Sequence, residues 1–249
     1  MKIRFLKFLV TICALACCFS LFFCLTGCSN GDDKGSNFSF ELVNGKEYQI
    51  TGLGEETSTD IVIPDTYKGL PVTSIADGAF KCKYITSVVI GSNVKTIGED
   101  AFLGCYRLVS ITMPDSIISI GKGAFVDCFA LPYNEYENCK YLYTKSNPYH
   151  TLIGIVGEEC SSYTMHEDTV VVVGGAFDGC SNIENITISG KVKLIGSYTF
   201  NNCASLMSIV IPNSVESIGD YAFYNCHNMS KVIIGNSAKY WEICFFRMF

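Results

Sequence analysis

Charge is the first thing this 249-residue chain has little of. Charged residues make up 17%, the formal net charge is −6, and no run of lysine or arginine relieves that acidity. Without an N-terminal segment that carries Lys2, Arg4 and Lys7, 15 basic residues stand against 24 acidic ones, a net −9. Nucleic acid is therefore not expected as a partner, nor direct attraction to an anionic lipid surface, because both need a positive patch. Histidine is scarce too. His150, His166 and His227 form no H-x-x-x-H or H-E-x-x-H arrangement, and no C-x-x-C pair exists despite 14 cysteines. The usual spacings of zinc ligands are thus missing. Within the repeats described next there is no G-x-S-x-G to position a nucleophile. Gly174-Gly175 is too short for a phosphate loop, and no pair of carboxylates recurs at a fixed place. The expectation is a protein that is not an enzyme and needs no cofactor or metal.

What the chain has instead is a period. Phe102 to Phe125, Phe177 to Phe200 and Phe200 to Phe223 are each 23 residues, and Phe80 to Phe102 is 22. Copies begin at Val72, Val94, Ile117, near Thr169, at Val192 and at Val215. A fixed period in the twenties is the mark of a solenoid, and a range of about 20–29 residues is that of leucine-rich repeats. In the copy from Val94, Leu108, Ile111 and Met113 stand as the apolar residues do in L-x-x-L-x-L. Ile111-Thr112-Met113 alternates as a half-buried strand, and Pro114 ends it because proline cannot donate to a ladder. A second apolar step, Val94 to Ile97, closes on Gly98, with Gly121, Gly196 and Gly219 at the same place and Ala76 and Val173 in two other copies. No coil of this size can bury its own Phe, Leu and Ile, so the coils must stack and share a core.

The run I-G-x-x-A-F-x-x-C-x-x-L-x-S-I-x-I-P resembles the BspA-like leucine-rich repeats of bacterial surface proteins, over about residues 59–237. The resemblance implies a solenoid and a role in adhesion or binding. The fold expected is a β-rich leucine-rich-repeat solenoid with short parallel strands, an N-terminal β-hairpin cap and a hairpin-like insertion. Six cysteines, Cys82, Cys105, Cys128, Cys180, Cys203 and Cys226, share one repeat position and read as a column of buried reduced thiols. Disulfides between adjacent coils are the rival reading, and Cys139 with Cys160 is a further candidate pair.

Residues 1–28 read as a lipoprotein signal peptide. A basic start and the apolar run Phe8–Leu25 lead into Leu25-Thr26-Gly27-Cys28, which resembles a lipobox with Cys28 as the lipid-bearing residue. An uncleaved transmembrane helix is the alternative, since 18 apolar residues just reach spanning length. Residues 29–37 read as a flexible tether. Residues 38–58 carry Asn44-Gly45 between alternating runs, a hairpin signal, and form the expected cap. Repeats follow over 59–131 and 169–237, separated by a tyrosine-rich insertion over 132–168. Insertions in repeat arrays often lie on the binding face, though a hairpin that merely pads one side is equally a reading. Residues 238–249 carry neither the I-G nor the A-F signature, so this tail is an improvised cap or marks a truncated array.

Two surfaces are candidates for ligand binding. One is the outward strand positions Val89, Thr112, Thr187, Val210 and Ile233, uncharged and suited to protein or glycan contact. The bland reading is that valine and threonine simply favour strands. The other is Tyr141, Tyr143 and Tyr149 in the insertion, since tyrosines commonly anchor interfaces. With the resemblance, these lead to a non-catalytic lipoprotein on the outer face of a bacterial membrane, held by its lipid anchor. Its expected partner is a protein or glycan of a host or neighbouring cell. A structural envelope spacer, or a degenerate repeat protein with no specific ligand, is the alternative.

Overall fold

The computed structural model describes residues 37–157 and 160–236. These residues contain no helix; they wind through eight coils that add strands to parallel ladders. One ladder begins with Asp60–Val62 in coil 1, Ser87–Val89 in coil 2 and Ser110–Thr112 in coil 3. The same place in later coils is held by Ser162–Thr164 of coil 5 paired with Asn185–Thr187 of coil 6, and by Ser208–Ile211 of coil 7 paired with Lys231–Ile234 of coil 8. The middle residue of each short strand points inward, as Ile61, Val88, Ile111, Ile186 and Ile209 do, and its neighbours face outward. That is the two-residue period of a strand with one buried face. The second ladder carries the Val-x-x-Ile step: Thr96–Ile97 pairs with Ser119–Ile120 in register, and Leu194–Ile195 with Ser217–Ile218.

A third corner of each coil holds the phenylalanine. Phe80, Phe102, Phe177, Phe200 and Phe223 are fully buried, and the rings stack at 5.1–5.5 Å between centroids. The backbone turns around each ring by placing two left-handed residues, one two positions before it and one two after. These are Gly78 and Cys82, Asp100 and Gly104, Gly123 and Asp127, Gly175 and Gly179, Tyr198 and Asn202, Tyr221 and Asn225. A left-handed backbone is costly for residues with a Cβ and cheap for glycine, with asparagine and aspartate the next best tolerated. The glycine of the I-G step serves a different need. Its backbone is not left-handed, but a Cβ on Gly121 would sit 2.5 Å from the nitrogen of Glu99 in the preceding coil. Close approach of coils, rather than free turning, selects glycine there. In coil 5 the residue making this approach is Gly174, where counting pointed to Val173: a Cβ on Gly174 would lie 2.8 Å from the nitrogen of Lys122.

The N-terminal hairpin forms. Ser39–Val43 and Glu47–Gly52 pair antiparallel around Asn44 and Gly45, both with positive φ as a type I′ turn requires. Its second strand joins the ladder of coil 1 in parallel, and Phe38 places its ring 6.3 Å from Phe80, edge to face.

The insertion is more than a hairpin on one side. Cys139–Leu142 and Thr151–Ile155 are antiparallel partners, yet Thr144 bridges Met113 in parallel and Thr151-Leu152 pairs in parallel with Val171-Val172. Residues 139–155 therefore contribute a fourth coil with both strand steps and no phenylalanine corner. Regular stacking resumes at Ser162, whose strand pairs with Asn185–Thr187, rather than at residue 169. The missing corner divides the core. One buried cluster runs from Phe38 to Val173 through Leu142, and the other from Cys139 to Met229.

Candidate functional site

The outward strand positions line up coil by coil. Val62 lies opposite Val89 and Val89 opposite Thr112; Thr164 lies opposite Thr187, and Val210 opposite Ile233. The bridge between Met113 and Thr144 puts Tyr143 beside Thr112, so the insertion supplies the column's fourth member. Val62, Val89, Val210 and Ile233 are 42–64% exposed and Tyr143 is 39% exposed. None of the eight positions carries a charge. Alongside runs a small polar column, Asp60, Ser87 and Ser110, then Ser162, Asn185 and Ser208 before Lys231. Hydrogen bonds from Thr86 and Ser87 hold the Asp60 carboxyl below its ordinary value, which fixes a negative charge at one end of this face. Val109 and Met207, both exposed, widen the apolar stripe on the other side.

The three tyrosines do not act together. Tyr141 is fully buried, its hydroxyl accepts the His166 backbone N–H at 3.1 Å, and burial pushes its phenol well above the usual range. It is a core residue of coil 4 and, being enclosed, is not an exposed ligand anchor. Tyr149 is half-buried and stacks on His166 at 3.9 Å, inside a cluster with Tyr136. Only Tyr143 faces outward, and it does so on the strand column. Two surfaces that the sequence kept apart are thus one, and the signal for it was the Leu142-Tyr143-Thr144 alternation, hidden by the lost period.

The cysteine column has a physical explanation. The thiol of each inner member donates to the carbonyl of the phenylalanine one coil earlier: Cys105 to Phe80, Cys128 to Phe102, Cys203 to Phe177 and Cys226 to Phe200, at 3.0–3.2 Å. Cysteine is small and apolar enough for the core yet keeps a weak donor for that carbonyl. Burial pushes the Cys128 thiol up to about 12 and the Cys226 thiol to about 11, so neither is a ready thiolate. The column is not uniformly buried, however. Cys82 in coil 1 is exposed because it stands two residues after Phe80, at the left-handed turn position, not three after it as the other five do, so it falls outside the column; Cys180 after the gap is half-buried. Cys139 and Cys160 are not joined; Cys160 accepts the side-chain amide of Asn138 at 3.0 Å. Among the described residues, no three His, Cys, Asp or Glu side chains are grouped to hold a metal.

A family model described as the BspA type leucine rich repeat region matches residues 72–149 and 159–248, in six copies. The chain belongs to the BspA-type leucine-rich-repeat family. The repeats, ladders and phenylalanine corners above are therefore those of a BspA-type solenoid. No curated protein matches the chain. Among solved structures it is similar to a leucine-rich repeat protein of T. pallidum, with 25% identity over 82% of this chain and 81% of that one, at a TM-score of 0.42. A leucine-rich repeat protein of Bacteroides ovatus shares 26% identity over 82% of this chain and 53% of its own, at a TM-score of 0.40. A leucine rich cell surface protein of Faecalibacterium prausnitzii shares 19% over 84% and 96%, at a TM-score of 0.35. The expected anchor Cys28, the apolar run before it and the tail after residue 236 lie outside the described residues. No described helix is long and apolar enough to cross a membrane.

Proposed function

We propose that this BspA-type protein is a non-catalytic lipoprotein, anchored through Cys28 to the outer face of a bacterial membrane, which binds a protein or glycan of a host or neighbouring cell. The observation that carries the reading is the set of outward positions from Val62 to Ile233, uncharged, exposed and in register within each group of paired strands. Such a face is flat, holds its side chains on paired strands, and has few charges to desolvate on contact, which favours a binding surface. A family whose members are typically bacterial surface proteins supports the location. The lipobox-like Leu25-Thr26-Gly27-Cys28 supports the anchor.

The test uses the full chain in detergent micelles against immobilised extracellular-matrix proteins and a glycan array. A companion carries Val89→Glu, Val210→Glu and Ile233→Glu, three exposed changes that bring charge to the column. Saturable binding to one partner class, weakened at least tenfold by the triple change, is expected. Binding untouched by the three charges would move the site off this face. No binding from a folded chain would leave a structural spacer of the envelope.

A further inference from the structure

The missing corner of coil 4 leaves a cleft of about 620 Å³, within the range of about 300–1,000 Å³ typical of ligand pockets. Its walls include Phe125, Val126 and Leu131 from coil 3, Ile153 from coil 4, Val173 from coil 5 and Tyr133 from the connection between coils 3 and 4. In coils 1, 2 and 6, and in coil 5 from Phe177 and Gly179, the corners are joined to the next coil by backbone hydrogen bonds. In coil 2, the N–H groups of Asp100, Phe102 and Gly104 donate to the carbonyls of Lys122, Ala124 and Val126 at 2.9 Å. Coil 6 repeats the pattern from Tyr198, Phe200 and Asn202 to Asp220, Ala222 and Tyr224 at 2.8–3.0 Å. The corresponding three donors of coil 3 are the N–H groups of Gly123, Phe125 and Asp127. Among the described residues no acceptor meets any of them, and all three residues line the cleft.

The ring column shows the same vacancy. Phe125 stacks on Phe102 at 5.5 Å on one side and is only half-buried, whereas Phe177 on the far side turns to Tyr163 and Phe200. The opening thus has three backbone donors at alternate residues, one uncovered aromatic face and apolar walls. Its charged members are partly spoken for: Lys122 is paired with Asp178 at 2.6 Å across coils 3 and 5, so the site asks for no net charge at that end.

We infer that this cleft is a second binding site, for an uncharged peptide segment of a partner protein that presents a small residue followed by an aromatic one. The occupant would add to the open edge of coil 3 by main-chain pairing, the mode by which extended peptides bind exposed strand edges. Its side-chain preference is set by the molecule's own solution, an Ala-Phe pair whose alanine carbonyl accepts the phenylalanine N–H of the previous coil and whose ring stacks beyond it. None of the outward column residues lines the cleft, so the two surfaces are separable.

A fluorescent peptide with the sequence of residues 98–104 carrying Glu99→Gln and Asp100→Asn, and so without charged side chains, serves as the probe, titrated with the full chain in detergent and read by polarisation. Saturable binding is expected, weakened at least tenfold when the peptide's phenylalanine is replaced by alanine. Tyr133→Ala, at an exposed wall residue, should weaken binding several-fold, and Ile153→Trp, which fills the floor, should abolish it. Val89→Glu with Val210→Glu should leave it unchanged, so failure of the surface reading and failure of this one are told apart. Equal binding of the alanine peptide, equal binding of N-acetyl-phenylalanine amide alone, indifference to Tyr133→Ala in a folded chain, or no binding would each overturn the proposal.

Discussion

At the scale of single residues, each repeated position answers a local demand. Cysteine holds its place because a phenylalanine carbonyl one coil away needs a donor inside the core, and the sulfur fits where a longer polar chain would not. The I-G glycine holds its place because coils approach to within a backbone's width. The left-handed pair around each phenylalanine explains why glycine, asparagine and aspartate cluster there; Cys82, Tyr198 and Tyr221 depart from that preference, the two tyrosines stacking on each other at 5.2 Å. The thiols give a direct check. In a native-state alkylation experiment followed by peptide mapping, Cys82 should label first, whereas Cys105, Cys203 and Cys226 should label only when the chain unfolds. Rapid labelling of those three would contradict their place in the core.

At the scale of the coil, much was legible in the sequence and one part was not. The phenylalanine spacing marks six corners, and the strands before proline and the hairpin at Asn44-Gly45 follow from periodicity and turn chemistry. Coil 4 escaped because its identity rests on tertiary pairing alone. Thr144 bridges Met113 and Thr151 pairs with Val171 although the segment has lost the A-F-x-x-C signature that would announce a coil. Its tyrosines then looked like a surface feature, when Tyr141 is a core residue and Tyr143 a member of the strand face. The gap also predicts unequal costs for identical substitutions. Phe200 is fully buried between Phe177 and Phe223, so Phe200→Ala should cost roughly 3–5 kcal/mol in denaturant unfolding. Phe125 has a ring partner on one side only and is half-buried, so Phe125→Ala should fall clearly below that. Equal losses would mean that Phe125 is as enclosed as its counterparts.

At the scale of the molecule, the solenoid is two stacks of phenylalanine corners held by parallel strand pairing on the other sides. This separation of roles produces both proposed binding surfaces. The outward column continues past coil 3 because coil 4 keeps its strand, and the ring stack is broken because coil 4 has no phenylalanine. The broken corner is the central claim, and residue-resolved native-state amide hydrogen exchange tests it most directly. Exchange tracks local opening and the loss of hydrogen-bond partners, so equivalent amides in equivalent motifs should exchange alike unless their acceptors differ. The amides of Phe102 and Phe200, bonded to Ala124 and Ala222 at 2.8–2.9 Å, should be strongly protected. Those of Gly123, Phe125 and Asp127 should exchange orders of magnitude faster. Protection of Phe125 equal to that of Phe102 would contradict the account.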